Sequence, residues 1–254
     1  LPAAVNHHWT KALTISADGR YLFVGIGSDS NITERGLAVE ENRAMVWQVD
    51  AQTGFHRVFA TGLRNPTALA IQPGSGQLWA VVNERDELGN DLVPDYMTSV
   101  REGGFYGWPW SYWGRNVDRR PPPDPAMVAR AVRPDYALGA HTASLGLAFS
   151  QGSLLPPDLR DGVFVGQHGS WNRSPRTGYK VIFAPFSAGR PAGRWAARSI
   201  SASRRSSSLA SALPSRKFSA TDIENSVGSS NAVATVCRSA GSDRSRISVP
   251  STRM

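Results

Sequence analysis

The sequence predicts an all-β fold, and three observations indicate a β-propeller. Apolar residues occur in short runs that are joined in pairs by glycine-bearing turns. The pairs recur at intervals of about 50 residues, and almost no segment has the 3.6-residue period of a helix. Evenly spaced short hairpins are typical of propellers, in which each blade is a small sheet. A β-sandwich is the main alternative, although its loops rarely carry this much glycine and tryptophan.

The first hairpins are predicted at residues 11–27, 44–60 and 68–82. In the first of them, Asp18-Gly19 supplies the turn between two alternating apolar runs. The first and third resemble each other, TISADGRYLFV against AIQPGSGQLWAV, about 56 residues apart. After the proline-rich connection at 121–123, the same pattern predicts strands at 145–149, 162–166 and 179–184.

Residues 83–110 show no helical or alternating period, so we predict a long loop. It begins with the carboxylates Glu84, Asp86, Glu87, Asp91 and Asp95, and it ends in glycines and aromatic residues. Closely spaced carboxylates on a glycine-bearing loop suit a hard cation, above all Ca²⁺. The alternative is a solvated acidic loop with Arg85 and Arg101 as its partners.

The net charge of +8 would normally suggest an anionic partner such as nucleic acid. The excess lies in residues 194–254, which hold 10 Lys/Arg against 3 Asp/Glu. The same segment has 17 serines and no strand pattern. We therefore predict a β domain over 1–193 and a Ser/Arg-rich tail over 194–254, and no nucleic acid as partner. The tail is either disordered or the product of a reading frame lost near Gly193.

The cysteine content bears on the compartment. The only cysteine, Cys237, lies in the tail, so the body is compatible with the periplasm or the cytosol. The chain begins at Leu1 without a basic and apolar leader, and we expect it to start after a processed signal or inside a longer protein. No apolar run approaches the roughly 18 residues that span a bilayer. We predict a periplasmic protein without a membrane span.

Three further polar clusters lie at strand ends, at residues 6–9, 62–66 and 166–173. A zinc site is disfavoured, because the body has no cysteine and its histidines lack ligand spacing. The G-x-S-x-G elbow and the G-x-G-x-x-G loop are both absent from the sequence. The remaining set comprises a histidine base, an arginine, oxygen ligands and aromatic residues. It suits binding of an anionic planar cofactor and transfer of a proton.

Three segments, GLRNPTALAI, NERDELGNDLVPDY with GGFYGWP, and HGSWNRSPRTGYKV, together resemble the soluble quinoprotein glucose/sorbosone dehydrogenase family. The resemblance covers residues 7–186 and is greatest to the sorbosone dehydrogenase branch. It implies a six-bladed β-propeller with pyrroloquinoline quinone (PQQ) and Ca²⁺ as cofactors. This chain is expected to supply about four of the blades. The implied substrate is an aldose or a sorbosone-type sugar or aldehyde, with an external cytochrome or quinone as electron acceptor.

The resemblance also implies roles for individual residues. His8 matches the family's catalytic base, and a shift of one residue would put His7 in its place. Cofactor contacts are implied for Arg64, Asn65, His141, Thr142, Asn172 and Arg173. Calcium binding is implied for Glu84, Asp86 and Glu87, the last two either through their side chains or through main-chain carbonyls. Without the resemblance, the histidine pair is more often structural and the Arg-Asn-Pro segment a strand-entry turn.

Two functions of different kinds are therefore open. The first is a PQQ- and Ca²⁺-dependent sugar or aldehyde dehydrogenase, in which His8 takes a proton from the substrate. The second is a non-catalytic propeller, either a binding module or an inactive remnant of the enzyme, since a fold alone does not imply an activity.

Overall fold

The architecture is a series of small antiparallel sheets, seen in a computed structural model that describes residues 8, 11–150, 154–192 and 198–200. The first sheet pairs in chain order the strands β1 (Lys11–Ile15), β2 (Tyr21–Ile26), β3 (Met45–Asp50) and β4 (His56–Thr61). Its first turn is closed by Ser16, whose hydroxyl donates to Asp18 Oδ1 and accepts from the Tyr21 amide. The predicted Asp18-Gly19 hairpin is confirmed.

The second sheet begins with β5 (Asn65–Ile71), β6 (Leu78–Asn83) and β7 (Pro94–Ser99). The chain then forms a separate hairpin of β8 (Ser111–Tyr112) and β9 (Asn116–Val117), and the helix α1 (Pro125–Arg130). Asp124 caps α1 by accepting a hydrogen bond from the Met127 amide at 3.0 Å. The strand β10 (Tyr136–Ala140) returns to pair with β7 and completes the sheet.

The third sheet holds β11 (Ser144–Phe149), β12 (Gly162–Gln167), β13 (Lys180–Ser187), β14 (Arg190–Pro191) and β15 (Arg198–Ile200). Two short 3₁₀ helices, Leu37–Glu40 and Pro157–Leu159, lie in the connections. Within the described residues, no helix is long and apolar enough to cross a membrane. The all-β prediction is confirmed, and the part of the chain described here forms three blade-like sheets where about four were expected.

The prediction of an uninterrupted loop over residues 83–110 is wrong, because β7 lies inside it. This strand has buried residues on both faces, including Tyr96 and Met97, so its sequence PDYMTS does not alternate. The polar residues Asp95 and Thr98 are buried with them. The strand β10 was also missed from the sequence. It pairs with β7, and its first three residues are buried like those of β7, so its sequence does not alternate either.

The second sheet packs between the other two. One core cluster joins Phe23 and Val46 of the first sheet to Leu69 and Val82 of the second. The other joins Trp79 and Met97 of the second sheet to residues of the third, among them Val163, Val165 and Ile182. Strand β5 contacts both β1 and β11, the first strands of the flanking sheets. Sheets stacked face to face with adjacent first strands are the arrangement of propeller blades around an axis.

The loops that carry the predicted site residues emerge at one end of these sheets. Residues 27–44 follow β2, 84–93 follow β6, 141–143 follow β10, and 168–179 follow β12. Antiparallel pairing brings these ends together, since Asn65 at the start of β5 pairs with Asn83 at the end of β6. Long loops at one end of a propeller are the usual place for a binding site.

All described residues belong to one compact unit, Leu1–Pro214. The second unit, Ser215–Met254, lies outside the described residues, as does most of the predicted tail. Arg198–Ile200 pairs with β13, so the third sheet takes a short strand from beyond residue 193. The boundary at residue 193 and the lost reading frame remain predictions.

Candidate functional site

A cavity of about 190 Å³ opens at the loop end of the sheets. Seven of the sequence-predicted residues line it, from five separate segments: His8, Arg64, Asn65, Glu84, Asp86, His141 and Asn172. A wider cleft of about 610 Å³ adjoins it and shares Asp86, His141 and Asn172. Glu87 lines that cleft, whereas Thr142 and Arg173 line neither space. The structure thus brings together residues more than 160 positions apart in sequence.

The ring of His8 is fixed by Ser28. His8 Nδ1 lies 3.0 Å from both the carbonyl oxygen and the hydroxyl oxygen of Ser28. The Ser28 hydroxyl donates its own proton to the carbonyl of Ser30 at 2.6 Å, so it accepts from the histidine. Nδ1 therefore carries a proton, and the neutral ring has its lone pair on Nε2. This tautomer can act as a base at Nε2.

Gly27 allows His8 and Asn65 to approach the end of β2. A Cβ at this position would lie 2.5 Å from Asn65 Oδ1 and 2.5 Å from His8 Cβ. Real Cβ atoms do not come so close to neighbours, so a larger residue would displace one of the two side chains. His8 and Asn65 can therefore keep their positions in the cavity wall only if residue 27 is a glycine.

Arg64 forms the cationic floor of the cavity and is almost fully buried. Its Nη1 donates to the carbonyl of Glu84 at 2.8 Å, and its Nε and Nη2 donate to Asn31. Burial lowers the pKa of Arg64, while the carboxylates of Asp86 and Glu84 act in the opposite direction. A guanidinium stays charged under such conditions, so the floor presents a fixed positive charge.

Asp86 is the carboxylate that faces the cavity from the acidic loop. Its Oδ1 accepts a hydrogen bond from Asn172 Nδ2 at 2.7 Å and lies 3.3 Å from His141 Nδ1. Its Oδ2 lies 3.7 Å from Arg64 Nη2. The other nitrogen of His141 lies 2.8 Å from the carbonyl of Gly89. The Asp86 carboxylate therefore connects the acidic loop to the residue before β5, to the loop after β10 and to the loop after β12.

Glu84 and Glu87 point in different directions. Glu84 Oε2 accepts from Arg85 Nε at 3.0 Å, and both side chains are buried, in contrast to the solvated pair considered from the sequence. The side chain of Glu87 is 72% exposed, and its nearest cation is Arg120 Nη1 at 3.7 Å. The three carboxylates of the predicted calcium set therefore do not converge.

Behind the loop, Arg85 and Arg120 hold the segment that follows the GGFYGWP motif. Arg85 Nη1 donates to the carbonyl of Pro109 at 2.8 Å and to Asp118 Oδ2 at 3.2 Å. Arg120 binds both oxygens of Asp118 and donates to the Asp86 carbonyl at 2.9 Å. Burial acts to raise the pKa of Asp118, but hydrogen bonds from Arg120 outweigh it and the pKa is lowered. These ion pairs fix the main chain of the acidic loop.

Comparison with known proteins assigns the family. A model of the TrAA12-like family matches residues 3–101 and 123–213. The chain belongs to the TrAA12-like family.

Relatives and solved structures agree with this assignment. The PQQ-dependent pyranose dehydrogenase of Coprinopsis cinerea is 27% identical over 70% of this chain and 30% of its own length. The aldose sugar dehydrogenase of Escherichia coli is 24% identical over 64% of the chain and 46% of its own length. An uncharacterized protein of Borreliella burgdorferi is 28% identical over 68% of the chain and 45% of its own length. The chain thus spans less than half the length of these curated relatives.

Among solved structures, the PQQ domain of the Coprinopsis cinerea pyranose dehydrogenase has a TM-score of 0.62 and 23% identity, covering 76% of this chain and 59% of that domain. A calcium structure of the Trichoderma reesei family AA12 enzyme has a TM-score of 0.65 and 21% identity, covering 78% and 59%. At these identities the likeness shows the fold of this TrAA12-like chain.

Two residues implied as cofactor contacts lie outside the cavity of the TrAA12-like site. The Thr142 hydroxyl donates to Asp95 Oδ2 at 3.0 Å, and Asp95 itself lines the cavity. Arg173 reaches the acidic loop instead, donating to the Asn90 carbonyl at 2.8 Å and to Asp91 Oδ1 at 2.9 Å. Thr142 therefore supports the cavity wall through Asp95, and Arg173 ties the third sheet to the acidic loop.

The described residues meet the needs of a planar anionic quinone better than those of a side-chain calcium cage. The quinone fits because Arg64 places a buried cation beside a cavity that His8 also lines. For calcium, Glu84 Oε1 is buried with no hydrogen-bond partner among the described residues, and Asp86 lies nearby on the same wall. No group of three or more metal-ligating side chains occurs in the described ranges. An ion here would take most of its six to eight oxygens from main chain or cofactor.

Three residues of the site were not among the predicted catalytic, cofactor-binding or calcium-binding residues: Asn31, Asp95 and Trp171. Asn31 reads as part of a polar turn, yet its side chain contacts Arg64 and Asp86. Asp95 reads as one more loop carboxylate, yet it is buried on β7 and accepts from the Glu84 amide at 2.9 Å. Burial raises the pKa of Asp95 to about 6. Trp171, which lies within the segment HGSWNRSPRTGYKV, lines both the cavity and the cleft.

Proposed function

We propose that the chain is a PQQ-dependent oxidoreductase that oxidises an aldose or a sorbosone-type sugar, with His8 as general base. The observation that carries the proposal is the cavity shared by His8 and Arg64, in a chain of the TrAA12-like family. Relatives named as pyranose and aldose sugar dehydrogenases support the sugar as substrate class. A periplasmic location and an external cytochrome or quinone as acceptor belong to the same proposal.

The residues of the chain divide the work as follows. His8, held by Ser28 in the tautomer with its lone pair on Nε2, takes the proton of the reacting hydroxyl. Arg64, with Asn65 beside it, binds the anionic cofactor and stabilises negative charge on its oxygens. Asn172 and His141 fix the Asp86 carboxylate at the cavity wall. Bound PQQ would supply the oxidant, accepting two electrons together with the proton of the C–H bond as the hydroxyl carbon becomes a carbonyl.

Calcium is proposed at the acidic loop, with Asp86 and Glu84 nearest to the cavity among the predicted ligands. The calcium structure of the Trichoderma reesei enzyme supports this ion. No proton or electron movement in the proposal depends on it, since the described carboxylates do not form a complete shell.

Reconstitution tests the proposal. The purified 254-residue chain is incubated with PQQ and CaCl₂, and reduction of an artificial dye is followed with a panel of aldoses and with sorbosone. We expect sugar-dependent dye reduction that requires PQQ and is lost in His8→Ala. Omission of PQQ and substitution of an exposed histidine, His56→Ala, are the matched controls. Sugar-dependent reduction without PQQ, or none with it, would contradict the proposal.

A further inference from the structure

Trp171 exposes an unusually large apolar face at the mouth of the site. Trp171 is 80% exposed, whereas Trp79 and Trp108 are 1% and 3% exposed. It lines both the 190 Å³ cavity and the 610 Å³ cleft. A ligand that covered the exposed indole would gain hydrophobic free energy, and the position of the ring at both the cavity and the cleft suits such contact.

The main chain on both sides of Trp171 is held in place. Before it, buried Ser170 donates its amide to the Thr177 carbonyl at 2.8 Å, and its carbonyl accepts from the Tyr179 hydroxyl. After it, Asn172 donates to Asp86 Oδ1 at 2.7 Å. The turn is therefore anchored to the third sheet and to the acidic loop. A ring with two rotatable bonds on a fixed turn loses little entropy when a ligand covers it.

The cleft beside this ring is lined by groups that bind hydroxyls. Carboxylates and amides surround it: Asp29, Glu34, Asp86, Glu87, Asn31 and Asn90. A sugar in its pyranose form has hydroxyls around its edge and an apolar face of C–H bonds. The hydroxyls need polar partners such as those of the cleft, and the C–H face needs a flat apolar surface such as an indole.

We propose that Trp171 is the stacking platform for a pyranose ring and thereby selects cyclic sugars over open-chain polyols. The proposal rests on the proposed function, whose substrate class it narrows. The competing occupant of the indole face is the planar cofactor itself, which lacks the hydroxyl edge that the carboxylates and amides of the cleft would bind. The sugar is favoured because Trp171 also lines the wide polar cleft, whose lining does not include Arg64.

The test measures binding separately from turnover. The chain without PQQ is titrated with D-glucose, D-xylose and the open-chain polyol sorbitol by isothermal calorimetry. The proteins are the wild type, Trp171→Ala, Trp171→Phe and the control Phe55→Ala, which removes an aromatic side chain that is 70% exposed and lines neither cavity. We expect pyranose affinity to fall about five- to tenfold in Trp171→Ala. We expect Trp171→Phe to retain most of the affinity, and Phe55→Ala and sorbitol binding to be unaffected.

Three results would overturn the proposal for Trp171. They are equal pyranose affinity in the wild type and Trp171→Ala, no pyranose binding by the wild type, and a loss of sorbitol affinity in Trp171→Ala as large as the loss of pyranose affinity. A PQQ titration that weakens in Trp171→Ala while pyranose binding is unchanged assigns the ring to the cofactor and also overturns it. Dye reduction separates the two proposals. Pyranose binding through Trp171 without turnover supports the platform and contradicts the oxidoreductase. Turnover with the same KM in Trp171→Ala does the reverse.

Discussion

Asn31 accepts two hydrogen bonds from Arg64: Nη2 donates to its side-chain Oδ1 at 3.0 Å, and Nε donates to its main-chain carbonyl at 3.1 Å. The same Oδ1 accepts from the amide of Asp86 at 2.9 Å. One amide oxygen therefore joins the buried cation of the cavity to the acidic loop. The two donor residues, Arg64 and Asp86, lie 33 and 55 residues after Asn31 in the sequence.

Asn31→Ala removes this shared acceptor. The buried guanidinium and the Asp86 amide each lose a partner, so we expect the free energy of unfolding to fall by about 1–3 kcal/mol. PQQ affinity should fall as well, because Arg64 loses its orientation. Urea unfolding and a cofactor titration measure the two effects. The control is Asn116→Ala, an exposed asparagine whose amide donates to the Tyr112 and Trp113 carbonyls of the β8–β9 hairpin. Equal losses in both variants would contradict a specific role for Asn31.

Gly27→Ala tests whether the cavity wall depends on a missing side chain. The new methyl would lie 2.5 Å from both His8 Cβ and Asn65 Oδ1, so one of them must move. A displacement of about 1 Å at a catalytic group can cost about a hundredfold in rate, and we expect a loss of that order in kcat/KM.

Gly166→Ala is the matched control for Gly27→Ala. It lies in β12, has ordinary backbone angles, and its added methyl meets nothing within 4 Å. Dye reduction and thermal melting of both variants distinguish displacement of the site from general unfolding. If Gly27→Ala turns over sugar at the wild-type rate, the close packing of His8 on β2 is not required.

The sequence predicted the elements whose signal is local. The first hairpins follow from alternation and from turn residues such as Asp18-Gly19, and each lies where it was expected. The sequence-based assignment missed β7, because that strand is covered on both faces and carries the buried polar residues Asp95 and Thr98. A pattern of alternation requires one face in water, and β7 has none.

The candidate site shows the same division. His8, Arg64 and Asp86 could be named from short motifs, and they line one cavity. The direction of each side chain could not be named, because it depends on distant partners. The Glu84 side chain pairs with the neighbouring Arg85, and Arg85 in turn pairs with Asp118, which follows the β8–β9 hairpin. Motifs therefore indicated which loops meet, whereas only the packed structure separates cavity residues from their supports.

Asp95→Asn should change how stability depends on pH. The folded chain raises the pKa of Asp95 from 3.8 to about 6 because burial disfavours the carboxylate. The folded state therefore binds this proton more tightly, and the stabilisation present below about pH 4 is lost as the pH rises through about 6. An asparagine has no such loss and keeps an acceptor for the Glu84 amide.

We expect the unfolding free energy of Asp95→Asn, relative to the wild type, to rise by about 2 kcal/mol between pH 4 and pH 7.5. Urea unfolding at four pH values measures it. Glu41→Gln, at an exposed carboxylate, serves as control and should follow the wild type. A difference between Asp95→Asn and wild type that stays constant with pH would show that Asp95 does not titrate in this range.

His8→Ala should lower the rate of sugar oxidation by about two to four orders of magnitude, the usual effect of losing a general base. PQQ binding should change far less, since Arg64 remains. Ser28→Ala should cost less than His8→Ala, because the Ser28 carbonyl still accepts from Nδ1. Single-turnover kinetics with a dye acceptor measures both. If His7→Ala lowered the rate of sugar oxidation strongly and His8→Ala only slightly, the two histidines would exchange roles.

Removal of calcium should lower the melting temperature, and the acidic loop allows the ligands to be told apart. Asp86 lines the cavity, so Asp86→Ala should reduce the rise in melting temperature on adding Ca²⁺. Glu87 extends toward solvent with 72% of its side chain exposed, so Glu87→Ala should keep the full rise. Glu84→Ala should destabilise the chain even without the ion, because the buried Arg85 loses one of its two carboxylate partners, and should also reduce the rise on adding Ca²⁺, because Glu84 lines the same cavity as Asp86.

Differential scanning fluorimetry with chelator and with a Ca²⁺ titration separates these three outcomes. The stabilisation by a bound ion grows with the logarithm of its free concentration above Kd, so a ligand substitution shifts the onset of the rise. Mg²⁺ at the same concentrations is the control for ionic strength, since it demands a smaller and more regular shell. A wild-type melting curve that is unchanged by chelator excludes a stabilising ion at this loop. A full Ca²⁺ response in Asp86→Ala would instead assign the ion to main-chain oxygens alone.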